Sequence, residues 1–208
     1  METLKRIIFA LAMIAFSVPA FTQSAAYSNI VKAFQDSYLN EATGDLQTAI
    51  EDLKNVYDED GYELNLRLGW LTYSAGQFTE SSSYYNRAVE LKPFAVEPRF
   101  GLIYPTAAMG NWDTVIRQYN NIIEIAPGNT VAMHRLGLVY YGRKEYQEAE
   151  KLFDKVVNLY PFDYDALLML AWTKLHLKKF REARVLFNKA LMHTPGGQSA
   201  LEGLELLE

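Results

Sequence analysis

An all-α fold of stacked antiparallel helix pairs follows from three observations on this 208-residue chain. The sequence resembles itself at a stride of 34 residues, a period typical of helical arrays. Within each period, apolar residues recur three and four positions apart, the spacing of one helix face. Short links, two of them marked by Gly44 and Gly76, separate the paired segments, so each second helix must fold straight back on the first, and Pro93, Pro127, Pro161 and Pro195 close four of the units.

The repeat is clearest from Thr130 to Pro195, where Leu136-Gly137, Tyr146, Ala149, Phe153, Val156 and Pro161 are answered by Leu170-Ala171, Phe180, Ala183, Phe187, Ala190 and Pro195. The same columns hold Leu102, Trp112, Val115, Tyr119, Ile122 and Pro127 one step earlier, and Leu68-Gly69, Phe78, Ser81, Tyr85, Ala88 and Pro93 before that. A degenerate copy precedes them with Leu46, Ala49, Leu53 and Val56. The units are read as 25–61, 62–95, 96–129, 130–163 and 164–197, closed by a capping helix over 198–208.

These residues resemble the tetratricopeptide repeat: an early Leu-Gly pair, an aromatic, then Ala, Phe and Ala at helical spacing, and a closing Pro. The resemblance covers roughly residues 30–197. It implies a right-handed α-solenoid whose first helices line a concave face where partners bind.

Taken in order, 26–43 reads as a helix through Ile30, Ala33, Phe34 and Tyr38, broken at Gly44, with a second helix from Asp45. Asp58-Glu59-Asp60-Gly61 is a turn; it begins like a calcium loop but lacks the later ligands and the closing Glu. Tyr62–Ser74 and Phe78–Leu91 form the next pair. Gly69, Gly137 and Ala171 are expected to let backbones approach, and Tyr85, Tyr119, Phe153 and Phe187 to fill the space between pairs. The 96–129 unit is irregular: Ile103 replaces the small residue, and Pro105 inside the first helix predicts a kink near 101–105. In the cap, Ala200, Leu201 and Leu204 are expected to face the last repeat.

The N-terminus reads as an address. Lys5 and Arg6 precede an apolar run from Ile7 to Val18, then Pro19-Ala20 and small or polar residues, the pattern of a cleaved signal peptide over 1–24. An uncleaved anchor is the alternative, but the run is shorter than the roughly 20 residues a spanning helix needs. With no cysteine, this chain holds no disulfide, no thiolate metal site and no lipoprotein-type lipidated cysteine. The expectation is an exported protein without stable membrane insertion, periplasmic for a Gram-negative source.

Residues 25–95 hold 11 acids and 5 bases, whereas 96–208 hold 13 of each. The acidic first half disfavours nucleic acid. Lys174, Lys178, Lys179, Arg181, Arg184 and Lys189 form a basic cluster, read as a solvated face. Against the acidic first half it permits head-to-tail contact between copies. His134, His176 and His193 fall on three helices, and no HExxH, GxSxG or phosphate loop occurs, so neither enzymatic chemistry nor a cofactor or metal is expected.

The columns left over by packing carry the candidate partner site: Phe34, Leu66, Phe100, His134 and Leu168; Tyr38, Trp70, Tyr104, Leu138 and Trp172; and Tyr73 and Tyr141, with Ala107 and Leu175 in the same column. Buried core is the competing reading for aromatics at this spacing. Leu68, Leu102, Leu136 and Leu170 already supply the inward column, however, and Trp and Tyr are hot-spot residues. The columns contain neither Lys nor Asn, so the carboxylate clamp of some family members is not supported. The expected function is a scaffold or adaptor binding a protein or peptide segment, with a self-assembling structural module as the alternative.

Overall fold

The structure, a computed structural model, describes residues 27–208. All of its regular elements in that span are helices, and they fall into two units divided between Pro93 and Phe94. The leader predicted over 1–24 lies outside the described residues. Among those described, no helix is long and apolar enough to cross a membrane.

The first unit contains α1 (27–42), α2 (Leu46–Lys54), α3 (Tyr62–Ser74) and α4 (Phe78–Leu91). Asp45 caps α2 by accepting from the Thr48 amide at 3.1 Å, satisfying one of the donors a helix start leaves open. Ala33, Ala49, Ile50, Leu53, Leu64, Leu68 and Leu71 form the core, with Phe34, Leu46, Val56 and Tyr84 against its edge. Gly69 is small for a reason the sequence only half reveals. A Cβ there would stand 3.0 Å from the Tyr85 ring, so the glycine admits an aromatic from α4 rather than a second backbone. Ser81, in a column held elsewhere by Ala, donates to the Gly69 carbonyl at 2.7 Å and ties α4 to α3.

The acidic 58–61 turn is wired from within. Buried Asn65 donates to the carbonyls of Glu59 and Gly61 and accepts from the Tyr57 hydroxyl, while Arg87 binds the Glu59 carbonyl and the Asp60 carboxylate.

The second unit contains α5 (Glu97–Ala108), α6 (Trp112–Ile125), α7 (Thr130–Gly142), α8 (Tyr146–Leu159), α9 (Tyr164–His176), α10 (Phe180–His193) and α11 (Gln198–Glu205). Asn111, Asn129 and Asp163 cap α6, α7 and α9 through side-chain oxygens. Successive helices pack antiparallel around Val115, Tyr119, Ile122 and Leu136, and further on around Phe153, Leu167, Leu170 and Phe187. Pro105 does not end α5: the helix runs through it to Ala108, with Pro105 buried. Ile103, in the column of small residues, is buried beside Tyr119.

One expectation is corrected in α11: Leu201 is exposed, whereas Ala200 is buried and Leu204 packs against the last repeat's core as expected; Gly203 is buried too, so close under the Phe187 ring that no side chain fits. The links between paired helices need a left-handed residue. Gly44, Gly76 and Gly110 supply it in three, but Lys144 and Lys178 take φ of 62° and 60° in the others.

Candidate functional site

In the first unit, four of the five predicted residues lie on one aromatic face. Tyr38 is 56 % exposed and Trp70 41 %. Tyr73 is half-buried, its ring centroid 6.1 Å from that of Trp70 and 5.8 Å from that of Phe78. Leu66 is half-buried. Phe34 leans into the core cluster instead.

What holds this face is a polar network that the periodicity did not single out. Arg67 is buried, with its guanidinium 3.8 Å from the centroid of the Tyr38 ring. It pairs with Glu41 at 2.7 Å and donates from Nε to the Ser37 hydroxyl at 3.2 Å. Glu41 in turn accepts from the Trp70 indole nitrogen at 2.6 Å. One carboxylate therefore fixes both the cation beneath Tyr38 and the orientation of Trp70. Burial pushes the Glu41 carboxyl up, but the Trp70 and Arg67 hydrogen bonds and the Arg67 charge outweigh it and hold its pKa below the usual value. An arginine among the apolar residues of α3 was the available signal.

In the second unit the predicted residues divide. Tyr104 and Leu138 are exposed, at 45 % and 39 %. Phe100 meets Tyr119 edge-on at 6.4 Å, and His134 meets Phe153 edge-on at 5.5 Å. Leu168 packs against the core. Trp172 is engaged inside the unit. Its ring lies edge-on to Phe187 at 5.2 Å, and its indole donates to Ser199 at 3.0 Å, which helps seat the capping helix. Tyr141 is half-buried in a cluster with Tyr146 and His176, its hydroxyl 3.0 Å from the His176 ring nitrogen.

Leu138 forms a wall of two clefts. One, of about 590 Å³, is lined by Trp112, Leu138, Val139, Gly142 and Arg143. The other, of about 380 Å³, joins Val131, His134, Arg135 and Leu138 to Asp163 and Asp165. His134 Nε2 is buried there with no hydrogen-bond partner. Trp112, 48 % exposed, escapes the sequence reading because its column otherwise reads as packing.

Of the basic cluster, Lys178, Lys179, Arg181, Arg184 and Lys189 are exposed as expected, and Lys174 alone departs from the solvated face. Lys174 is buried and held at 2.7 Å by both Glu150 and Glu182, with Asp154 at 3.7 Å. Lys179 also pairs with Glu150 at 2.7 Å, and Arg184 donates to the Leu207 carbonyl. Burial opposes the Lys174 charge, yet the Glu150 and Glu182 hydrogen bonds raise its pKa. Among the described residues, no group of three His, Cys, Asp or Glu side chains is placed to hold a metal.

Known proteins share this fold. Residues 62–94 and 129–191 each match a family model described as tetratricopeptide repeat. Human protein O-mannosyl-transferase TMTC1 is 28 % identical over 107 residues, which are 51 % of this chain but only 12 % of that protein's length. The fold is similar to that of a tetratricopeptide repeat protein from Parabacteroides merdae, with a TM-score of 0.73, 22 % identity, and coverage of 86 % of this chain and 72 % of that one. It is also similar to YrrB, described as a TPR protein with an unusual peptide-binding site, with a TM-score of 0.69, 15 % identity, and coverage of 89 % and 98 %.

Proposed function

We propose that this chain, built of tetratricopeptide repeats, is an adaptor whose first-helix faces receive a segment of a partner polypeptide. Such repeats in general serve as protein-interaction modules. The carrying observation is the exposure of Tyr38, Trp70 and Tyr104 while Leu68 and Leu102, on the same helices as Trp70 and Tyr104, are fully buried. The cores are complete without those rings, and exposed Trp and Tyr are the residue types that anchor interfaces. The peptide-binding site ascribed to YrrB, a protein of similar fold, is in keeping with this reading.

The test is affinity capture from the native cell envelope with wild-type protein and the Trp70→Ala/Tyr104→Ala double variant. Loss of a specific partner from the variant supports the assignment; unchanged recovery defeats it.

The proposal extends to the address. The Lys5-Arg6 lead and the Ile7–Val18 apolar run suit an exported protein. Mass measurement of the protein recovered from fractionated cells would show a start between residues 19 and 26. An intact Met1 would contradict export by cleavage.

A further inference from the structure

Resting on that receptor reading, we infer that the aromatic face of the first unit takes a segment carrying Lys or Arg side chains beside apolar ones. The reason lies in how the charges of this unit are spent. Residues 27–93 hold eleven carboxylates and five basic side chains. Every one of the five is engaged: Lys32 with Asp36, Lys54 with Glu80, Arg67 with Glu41, Arg87 with Asp60 and Glu90, and Lys92 with Glu63. Asp45, Glu51, Asp52, Asp58 and Glu59 have no ion-pair partner among the described residues. The unit therefore meets a visitor with surplus negative charge and no uncommitted cation.

The aromatic face repeats this at short range. The cation nearest to it, Arg67, is buried against the Tyr38 ring and neutralised by Glu41. An anionic side chain docking over Tyr38 and Trp70 would find ring faces and no counter-charge. A cationic side chain would find a face of Trp70, fixed in orientation by the Glu41 hydrogen bond, and the face of Tyr38 that Arg67 leaves open. The field of the whole unit adds to this by drawing cationic segments in. Apolar neighbours in the segment would cover Leu66 and the edge of Tyr73.

The test uses three synthetic peptides of about twelve residues, alternating Leu with Lys, Gln or Glu, at about 0.15 M salt, where surface charges beyond roughly 8 Å are screened. Binding is read by the emission of Trp70 in the Trp112→Phe/Trp172→Phe protein and by calorimetry on the unsubstituted chain and on each variant. The Lys peptide should bind at least about tenfold tighter than the Glu peptide. Trp70→Ala and Tyr38→Ala, shown folded by circular dichroism, should each remove most of that preference. Equal binding of all three peptides, no binding by any, or a Lys preference that survives both substitutions overturns the inference. A Gln peptide that binds as tightly as the Lys peptide and depends on Trp70 also overturns it, while leaving the receptor reading intact. If capture in cells is unaffected by Trp70→Ala/Tyr104→Ala as well, the receptor reading falls with it.

Discussion

The indole nitrogen of Trp70 donates to the Glu41 carboxylate across 2.6 Å, joining two helices through a residue that is itself exposed. The bond fixes the ring and keeps one of its faces presented. The Arg67 ion pair at the same carboxylate makes the arrangement a unit rather than a pair.

Removing Glu41 should release Trp70 and leave the buried Arg67 charge without its partner. Glu41→Ala is expected to cost about 3 kcal/mol, the range for breaking a buried pair from one side. Urea unfolding measures the loss, and Trp70 emission in the Trp112→Phe/Trp172→Phe background should report a more mobile, more hydrated ring.

The same contact should respond to acid. The Glu41 pKa is lowered in the folded state, so its contribution is present above the unfolded carboxylate pKa and lost as pH falls through the folded value. Trp70 emission should therefore be flat from neutrality down to the ordinary carboxylate range and change below it. In Glu41→Ala that acid step should be absent.

Lys174 should behave as a staple. Lys174→Met is expected to destabilise by about 3 kcal/mol, because Asp154 and Glu182 would lose this cation and Glu150 would keep only Lys179. Glu150 has a lowered pKa, so its part of the pairing is lost on acidification; Lys174 has a raised one, so its part is lost only well above its ordinary value. The gap between wild type and variant in thermal unfolding should narrow toward acid pH and persist through neutrality.

Lys144→Gly and Lys178→Gly should each stabilise by about 1 kcal/mol, since both lysines hold a left-handed backbone that glycine adopts without a Cβ penalty. Denaturant midpoints measure this. Gly137→Ala should do the reverse by about 2 kcal/mol, because its Cβ would sit 2.7 Å from the Phe153 ring.

The sequence's stride made the scaffold legible. Leu68, Leu102, Leu136 and Leu170 lie in one register, and all four are buried. Helix α3 runs over the predicted Tyr62–Ser74 and α4 over the predicted Phe78–Leu91. Periodicity says which face a residue occupies, but not which third element will reach it. Trp172 shares a column with Trp70, yet α11 arrives beside it and gives it Ser199 as a partner. Lys174 reads as surface until Glu150 from α8 and Glu182 from α10 close around it. Arg67 is visible as the one basic residue of α3, but its burial depends on Glu41, 26 positions away in the chain, which periodicity does not pair with it. Lys144 and Lys178 give no sign of their turns, since only glycine announces a left-handed residue in a sequence.

If a partner sits on the first-helix aromatic faces, photo-crosslinking reads that contact directly, with a benzophenone side chain placed in turn at Trp70, Tyr104 and, as a second-helix reference, exposed Lys155. The expected result is covalent capture of a partner from position 70, from position 104 or from each, and none from 155. Capture from 155 alone would contradict the receptor role of those faces.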